Sequence, residues 1–282
     1  MQTYVYAIER EVKRKLPNVD VEVTEVEKDN GTKLTGLSIR EQDSIVGMTI
    51  YVDDMFNDGV PVEEAVESIV KVYAGKPNIN TDNLQSFDTC KDSLKVRLYG
   101  HNMNHAKEES NVTFVGEHGD FVVPDGLIAE VYIEYGDVGT IAVSKSLPAM
   151  WDTPVQDVIS VAIKNTKDAL FPHISPLGEV VKEHVDEVPQ EAVLLTNGRF
   201  DRFGAVAIGF VDALRTLDKN AYILPCSIHE VIVFSAERTA KNDRGLTEMV
   251  REVNETTLEP RDVLLDRPWY WDGEKLVLVE VA

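Results

Sequence analysis

The chain has 282 residues, of which 43% are hydrophobic and 27% charged, with a net charge of −21. That is enough apolar material for a packed core, so global disorder is excluded, and the length suits one large or two small domains. The acidic balance argues against a broad nucleic-acid-binding face, which needs clustered Lys and Arg.

No apolar run approaches the ~20 residues that cross a bilayer, and the first ten residues lack a signal-peptide pattern. No membrane association is expected. Cys90 and Cys226 lie far apart and read as reduced thiols of a cytoplasmic protein.

Residues 1–16 predict an amphipathic helix, with Val5, Ile8, Val12 and Leu16 on one face and Pro17 as its stop. Val21, Val23, Val26, Leu34, Leu37 and Ile39 predict a hairpin around Asp29-Asn30-Gly31. Met48 to Val52 begins a short strand or a helix. Pro61 to Ala74 predicts a second helix, apolar through Val62, Ala65, Val66, Ile69, Val70 and Tyr73.

Two stretches contain acids and no Lys or Arg. The first lies between Arg40 and Lys71 and holds Glu41, Asp43, Asp53, Asp54, Asp58, Glu63, Glu64 and Glu67. The second runs from Glu108 to Asp137 and holds Glu130 and Glu134. These carboxylates are candidates for contact with a basic partner protein, although solvated faces account for most acidic runs.

Residues 82–100 are ambiguous, with Cys90, Leu94 and Leu98 at spacing that suits a helix. His101 and His105 stand four apart, which on a helix would let them share a metal. No third ligand is apparent, so exposed histidines are the plainer reading. Leu127 to Tyr135 and Thr140 to Ser144 predict an antiparallel pair. Asp152 or Thr153 then caps a helix that opens on Pro154, with Val155, Val158, Ile159, Ala162 and Ile163 buried.

Phe171 to Gln190 contains three prolines and reads as an extended connector between residues 1–170 and residues 191–282, although the whole can equally be one domain. Beyond it, Ala192 to Leu195 and Ala205 to Phe210 suggest strands, and Val211 to Leu217 a short helix. Gly204 and Gly209 permit close packing but are not a dinucleotide fingerprint, and no cofactor is expected. Gly245 to Asn254 is helical, with Leu246, Met249, Val250 and Val253 toward the core. Trp269 to Trp271 and Leu276 to Val281 predict a closing hairpin around Asp272-Gly273.

Between Gly204 and that hairpin lies the stretch on which the rest turns. Tyr222 to Leu224 and Val231 to Phe234 are strand-like, and Cys226, Ser227, His229 and Glu230 are set between them. These four offer nucleophile, base and acid types. Sequence neighbours rarely face one another as a triad does, so a hydrogen-bonded structural turn is the expected role and a catalytic cluster the alternative. Asn197, Asp201 and Arg202 would join if the loops converge. Helices and strands mix without βαβ alternation, so the class is α+β with antiparallel sheets and a strand-rich C-terminal half.

Thr49-Ile-Tyr51, Ala162 to Thr166, Leu195-Thr-Asn197, Gly204-Ala205, Ile223 to Ile232, Met249 to Asn254 and Val263 to Asp266 together resemble an uncharacterised bacterial family. That family is met on conjugative elements and phages of Gram-positive gut anaerobes. The resemblance covers most of the chain after about residue 40 and implies context rather than chemistry. Cys226 stands where the family suggests Ser, which argues against a cysteine nucleophile.

The expected function is therefore a non-enzymatic, acidic interaction protein of a mobile element, acting on a host or defence protein. The alternatives are a hydrolase built on Ser227 or Cys226 with His229 and Glu230, a mimic of DNA's phosphate array, and a scaffold without a ligand.

Overall fold

Val5, Ile8 and Val12 recur at helical spacing, and in the computed structural model of the chain they form the buried stripe of helix α1, Gln2–Lys15. The structure describes residues 1–27, 33–42, 47–75, 84–101, 110–135, 139–170, 172–180, 192–198, 202–217, 219–236, 243–259 and 262–279. The chain forms two compact units, Met1–Ser86 and Phe87–Ala282.

In the first unit, strands β1 (Val19–Glu27), β2 (Lys33–Glu41) and β3 (Gly47–Tyr51) make an antiparallel sheet in that order. The register pairs Val21 with Ile39 and Val23 with Leu37, and then Leu37 with Ile50 and Ile39 with Met48. Because side chains alternate along a strand, this register gathers the aliphatic residues on one face. That face packs with α1 and with helix α3 (Val62–Ala74), whose Ala65, Val66, Ile69 and Tyr73 are buried. Each fully buried aliphatic side chain here stabilises the unit by about 1.5–3 kcal/mol. Between β3 and α3 lies the short helix α2, Asp53–Asn57. The expected turn at 29–31 and Asp43 lie outside the described residues.

The second unit holds the remaining elements. Helix α4 (Phe87–Cys90) leads into β4 (Leu94–Gly100). The small strands β5 (Thr113–Phe114), β6 (Glu117–His118) and β7 (Phe121–Val122) precede β8 (Leu127–Tyr135) and β9 (Gly139–Ala142). Helices α5 (Ser146–Met150) and α6 (Val155–Ala169) follow. Then come β10 (Pro172–Pro176), α7 (Leu177–Val180), β11 (Val193–Asn197), α8 (Val211–Leu214), β12 (Ala221–Pro225), β13 (Glu230–Ser235), α9 (Asp243–Thr256), β14 (Trp269–Trp271) and β15 (Leu276–Leu278).

One sheet is β4-β8-β5, with β9 also on β8. A second has six antiparallel strands in the order β10-β11-β13-β12-β14-β15, and β6 and β7 form a third, two-stranded sheet. The class is α+β, and the C-terminal half carries the larger sheet. Tyr222, Leu224 and Phe234 on one sheet face pack with Leu246 and Val250 of α9. Leu195, Ile223 and Val231, of opposite parity, are also buried. The closing hairpin is present, with Trp269 and Trp271 buried and the Trp269 indole donating to the Asp125 carbonyl at 2.9 Å.

Several expectations are corrected. Leu94 and Leu98 belong to strand β4, not to a helix. Among the described residues strand β4 has one strand neighbour, and α6 serves its other edge: the Val96 N–H donates to Thr166 Oγ1 at 2.8 Å, and Asn165 donates to the carbonyls of Lys91 and Leu94. Residues 204–209 form a 3-10 helix rather than a strand. The bonds Val206 N–H to Phe203 O and Phe210 N–H to Ala207 O close it, and a short apolar run cannot tell a strand from a buried helical turn.

Neither Asp152 nor Thr153 caps α6. Pro154 occupies the cap position without a side-chain bond, and Thr153 Oγ1 donates to the Trp151 carbonyl. Met249 faces outward while Leu246 and Val250 face the core. Residues 172–176 of the expected connector are strand β10, paired with β11 inside the second unit. Residues 177–180 of it are helix α7, and 171 and 181–190 lie outside the described residues.

Candidate functional site: a polar turn and an acidic face

The chain leaves β12 at Pro225, which has no N–H to offer, and re-enters the sheet at Glu230. Between them the backbone closes on itself, with the Ser227 N–H donating to the Glu230 carbonyl at 3.0 Å. The Ile228 N–H donates to the Asp262 carbonyl at 2.8 Å. The buried Ser227 hydroxyl accepts the His229 N–H at 3.0 Å, a local bond that serine commonly makes in turns.

The His229 ring looks elsewhere. Its Nδ1 accepts the Phe203 N–H at 3.0 Å, and its Nε2 lies 3.7 Å from Asp262 Oδ1. Nδ1 therefore carries the lone pair and Nε2 the proton of a neutral ring. Ser227 Oγ and the His229 ring are not arranged as nucleophile and base. Burial, followed by the nearby Glu230 charge, pushes the Cys226 thiol up from 9.0 to about 11. It stays protonated and unreactive near neutral pH.

The loops do converge. A Cβ on Gly204 would sit 2.4 Å from the His229 carbonyl oxygen and 2.5 Å from the Asn197 nitrogen, so only glycine fits there. Thr196 Oγ1 donates to the same His229 carbonyl at 3.3 Å. Just before Gly204, Phe203 holds a left-handed φ of 56°. For a non-glycine residue that costs about 1–2 kcal/mol. Arg202 is exposed, and Asp201 lies outside the described residues.

Behind Phe203 is a group of which the sequence singled out only Glu130. The Arg97 guanidinium carbon lies 5.1 Å from the ring centres of Tyr99, Tyr132 and Phe203. Its Nε and Nη2 donate to Glu130 Oε2 at 2.8 and 2.7 Å. Glu130 Oε1 accepts from Asn111 at 2.7 Å, and Arg97 Nη1 donates to Thr140 at 3.1 Å. Both charges are thus paired and hydrogen-bonded, as burial requires. Glu130 is 0% exposed, so it is no part of a surface face. Glu134 is partly buried near the end of β8. A sequence signal existed: one apolar strand carries two cations and the other two carboxylates, and β-pairing sets Arg97 opposite Glu130.

His101 follows β4, and its N–H donates to the Gly126 carbonyl. His105 lies outside the described residues. Among the described residues no group of three His, Cys, Asp or Glu side chains is placed to hold a metal.

The acidic residues of the first unit differ from Glu130. Asp53 is used internally, accepting the Thr35 N–H at 2.8 Å. Asp54, Asp58, Glu63, Glu64 and Glu67 are exposed. Among the described residues none of these five is in an ion pair. Glu63 and Glu64 occupy the first turn of α3, where the helix dipole favours negative charge. Phe56 is 40% exposed between Asp54 and Asp58. Its ring lies 5.5 Å from that of Tyr4, whose hydroxyl donates to the Val60 carbonyl. Burial, then the charge of Glu64, raises the Tyr4 phenol above its usual range. Tyr4 therefore joins Phe56 and Glu64 in one patch.

No helix among the described residues is long and apolar enough to cross a membrane. No curated protein and no solved structure matches the chain. A family of unknown function, DUF5688, matches residues 1–273, and the chain belongs to that family.

Proposed function

We propose that the chain is a non-enzymatic interaction protein that binds a basic partner protein through the acidic face around α2 and the start of α3. One observation carries this reading. Asp54, Asp58, Glu63, Glu64 and Glu67 are exposed and, among the described residues, form no ion pair, beside an aromatic ring that is also exposed. Some surface carboxylates elsewhere are paired with cations, as in Glu9 with Lys13, Asp88 with Lys91 and Glu248 with Arg244. An unneutralised acidic face attracts cationic surfaces, and an exposed aromatic ring supplies the anchor that charge lacks.

The polar turn supports the same reading from the other side. Its histidine, serine and thiol are engaged in holding the turn or are kept protonated. The setting we place the protein in is a bacterial mobile element, with a host or defence protein as target, on the strength of the sequence segments quoted above. No direct nucleic-acid contact and no cofactor belong to this reading.

The test is a tagged pull-down read by mass spectrometry, followed by titration of the captured partner. Affinity should fall at least about tenfold between low salt and roughly 0.3 M salt, where screening reaches only a few ångströms. Binding that ignores salt would remove the acidic face as the contact.

A further inference from the structure

The His229 ring has two partners, and each suits a different protonation state. The neutral ring accepts the Phe203 N–H at Nδ1, at 3.0 Å. The charged ring has lost that lone pair and turns an N–H toward an N–H. Its natural partner is Asp262, whose Oδ1 is already 3.7 Å from Nε2. We propose that His229 is a proton-operated latch on the 202–204 turn, closed when the ring is neutral and released when it is charged.

What the latch holds is set by its surroundings. Phe203 is kept in the left-handed region, a conformation it would not hold on its own. Its ring lies 5.7 Å from the His229 ring on one side and 5.1 Å from the Arg97 guanidinium on another. Tyr132 also contacts it, at 5.4 Å. Release of the Phe203 N–H lets the turn relax and uncovers the face of Arg97 that Phe203 shields.

The charged and titratable groups around the ring, among the described residues, come from four places. Asp262 faces Nε2. Cys226 and Glu230 belong to the same turn as His229. Arg202 is next to Phe203 and exposed. Arg97 lies beyond Phe203 with its charge met by Glu130, and Tyr132 lies there too. Asp262 stabilises the imidazolium once the latch opens. The buried Arg97–Glu130 pair stays charged on both sides of the transition and does not compete. The latch is independent of the acidic face and of any partner bound there.

The measurement is hydrogen exchange of the Phe203 amide in the full chain, followed by NMR at about pH 7.5 and at the acidic pH where the His229 ring signals show the charged form. After correction for intrinsic rates, wild-type protection should drop about tenfold or more on acidification. In His229→Asn the side-chain oxygen can take the place of Nδ1 and does not titrate, so protection should be the same at both values. Unchanged protection in the wild type, or an equal drop in His229→Asn, would overturn the latch. Should His229→Asn not fold, the wild-type imidazole nitrogen signals decide. A bare, accepting Nδ1 near neutral pH that gains its proton in step with the Phe203 amide shift supports the latch. A protonated Nδ1 near neutral pH overturns it.

Discussion

Glu130 and Glu64 come from two stretches that look alike on paper, each acidic and free of Lys and Arg. The fold treats them oppositely. Glu130 lies on β8, flanked by β4 and β5, where its side chain is closed off from water and faces Arg97 across the register. Glu64 stands on the first turn of a surface helix, with water on its open side. A run of charge along the chain says nothing about distance in space. On a strand, the cation that neutralises a carboxylate comes from the neighbouring strand, tens of residues away. On an exposed helix, the nearest candidates are three or four residues off. The first region spends its acid on holding two strands in register, and the second leaves its acid facing outward.

The sharpest way to break this contrast is to remove the inner carboxylate. Glu130→Ala leaves Arg97 buried without its partner and should destabilise the second unit by about 3–5 kcal/mol in denaturant unfolding. The double variant Arg97→Met with Glu130→Leu removes both charges and should recover much of that loss, because a matched apolar pair leaves no buried charge unpaired. If Glu130→Ala unfolds like the wild type, the pair is not closed to water and the distinction between the two regions fails. Next in size is Gly204→Ala. Its methyl group meets backbone atoms on two sides, neither of which can rotate away. A loss of about 3 kcal/mol is expected, read as a fall in Tm of roughly 6–12 °C for a unit of this size.

These effects also mark what could be read in advance. The hairpin of β1 and β2, helices α1, α3 and α9, the β8–β9 pair and the closing Trp hairpin follow from period-2 and period-3.6 apolar patterns with clear turn residues. The 3-10 helix at 204–209 did not, because Ala205 to Phe210 is apolar on every side and carries no period. Nor did β4, whose Leu94 and Leu98 suit a helix until Val96 between them and Tyr99 after them are seen to be buried as well.

At the candidate site, the turn of Cys226 to Glu230 was visible as polar groups between two apolar strands. Its partners Phe203 and Asp262 were not, since backbone N–H groups and distant carboxylates leave no local trace. The family resemblance of Ile223 to Ile232 runs from strand β12 across the polar turn into β13.

The polar turn offers a smaller test in alkali. The Cys226 thiol is raised in the folded chain to about 11, against an ordinary 9.0. Between those values the unfolded chain has given up its proton while the folded chain keeps it. Stability from this group is therefore complete below about pH 9 and declines as pH rises toward 11. Cys226→Ala should flatten that part of the stability profile, and alkylation of Cys226 in the folded protein should be slow near pH 8. Rapid labelling there would mean that the turn opens readily.

The smallest expected effect on the fold is on the outer region, and it is the most telling about function. Asp54→Asn, Asp58→Asn, Glu63→Gln, Glu64→Gln and Glu67→Gln, combined in one chain, remove five exposed charges without touching the core. The loss of stability should be no more than about 1–2 kcal/mol, most of it from Glu63 and Glu64 in the first turn of α3, since other exposed substitutions are nearly neutral. Partner binding should weaken at least about tenfold, and its remaining salt dependence should flatten, because those charges are the source of the long-range attraction. Phe56→Ala in the same background separates the apolar anchor from the field. If it weakens binding equally at low and high salt, the ring contributes contact and the carboxylates contribute steering. A large loss of stability in the five-fold variant would show that these side chains hold the first unit together, as Glu130 holds the second, and the contrast between inward and outward acid would collapse.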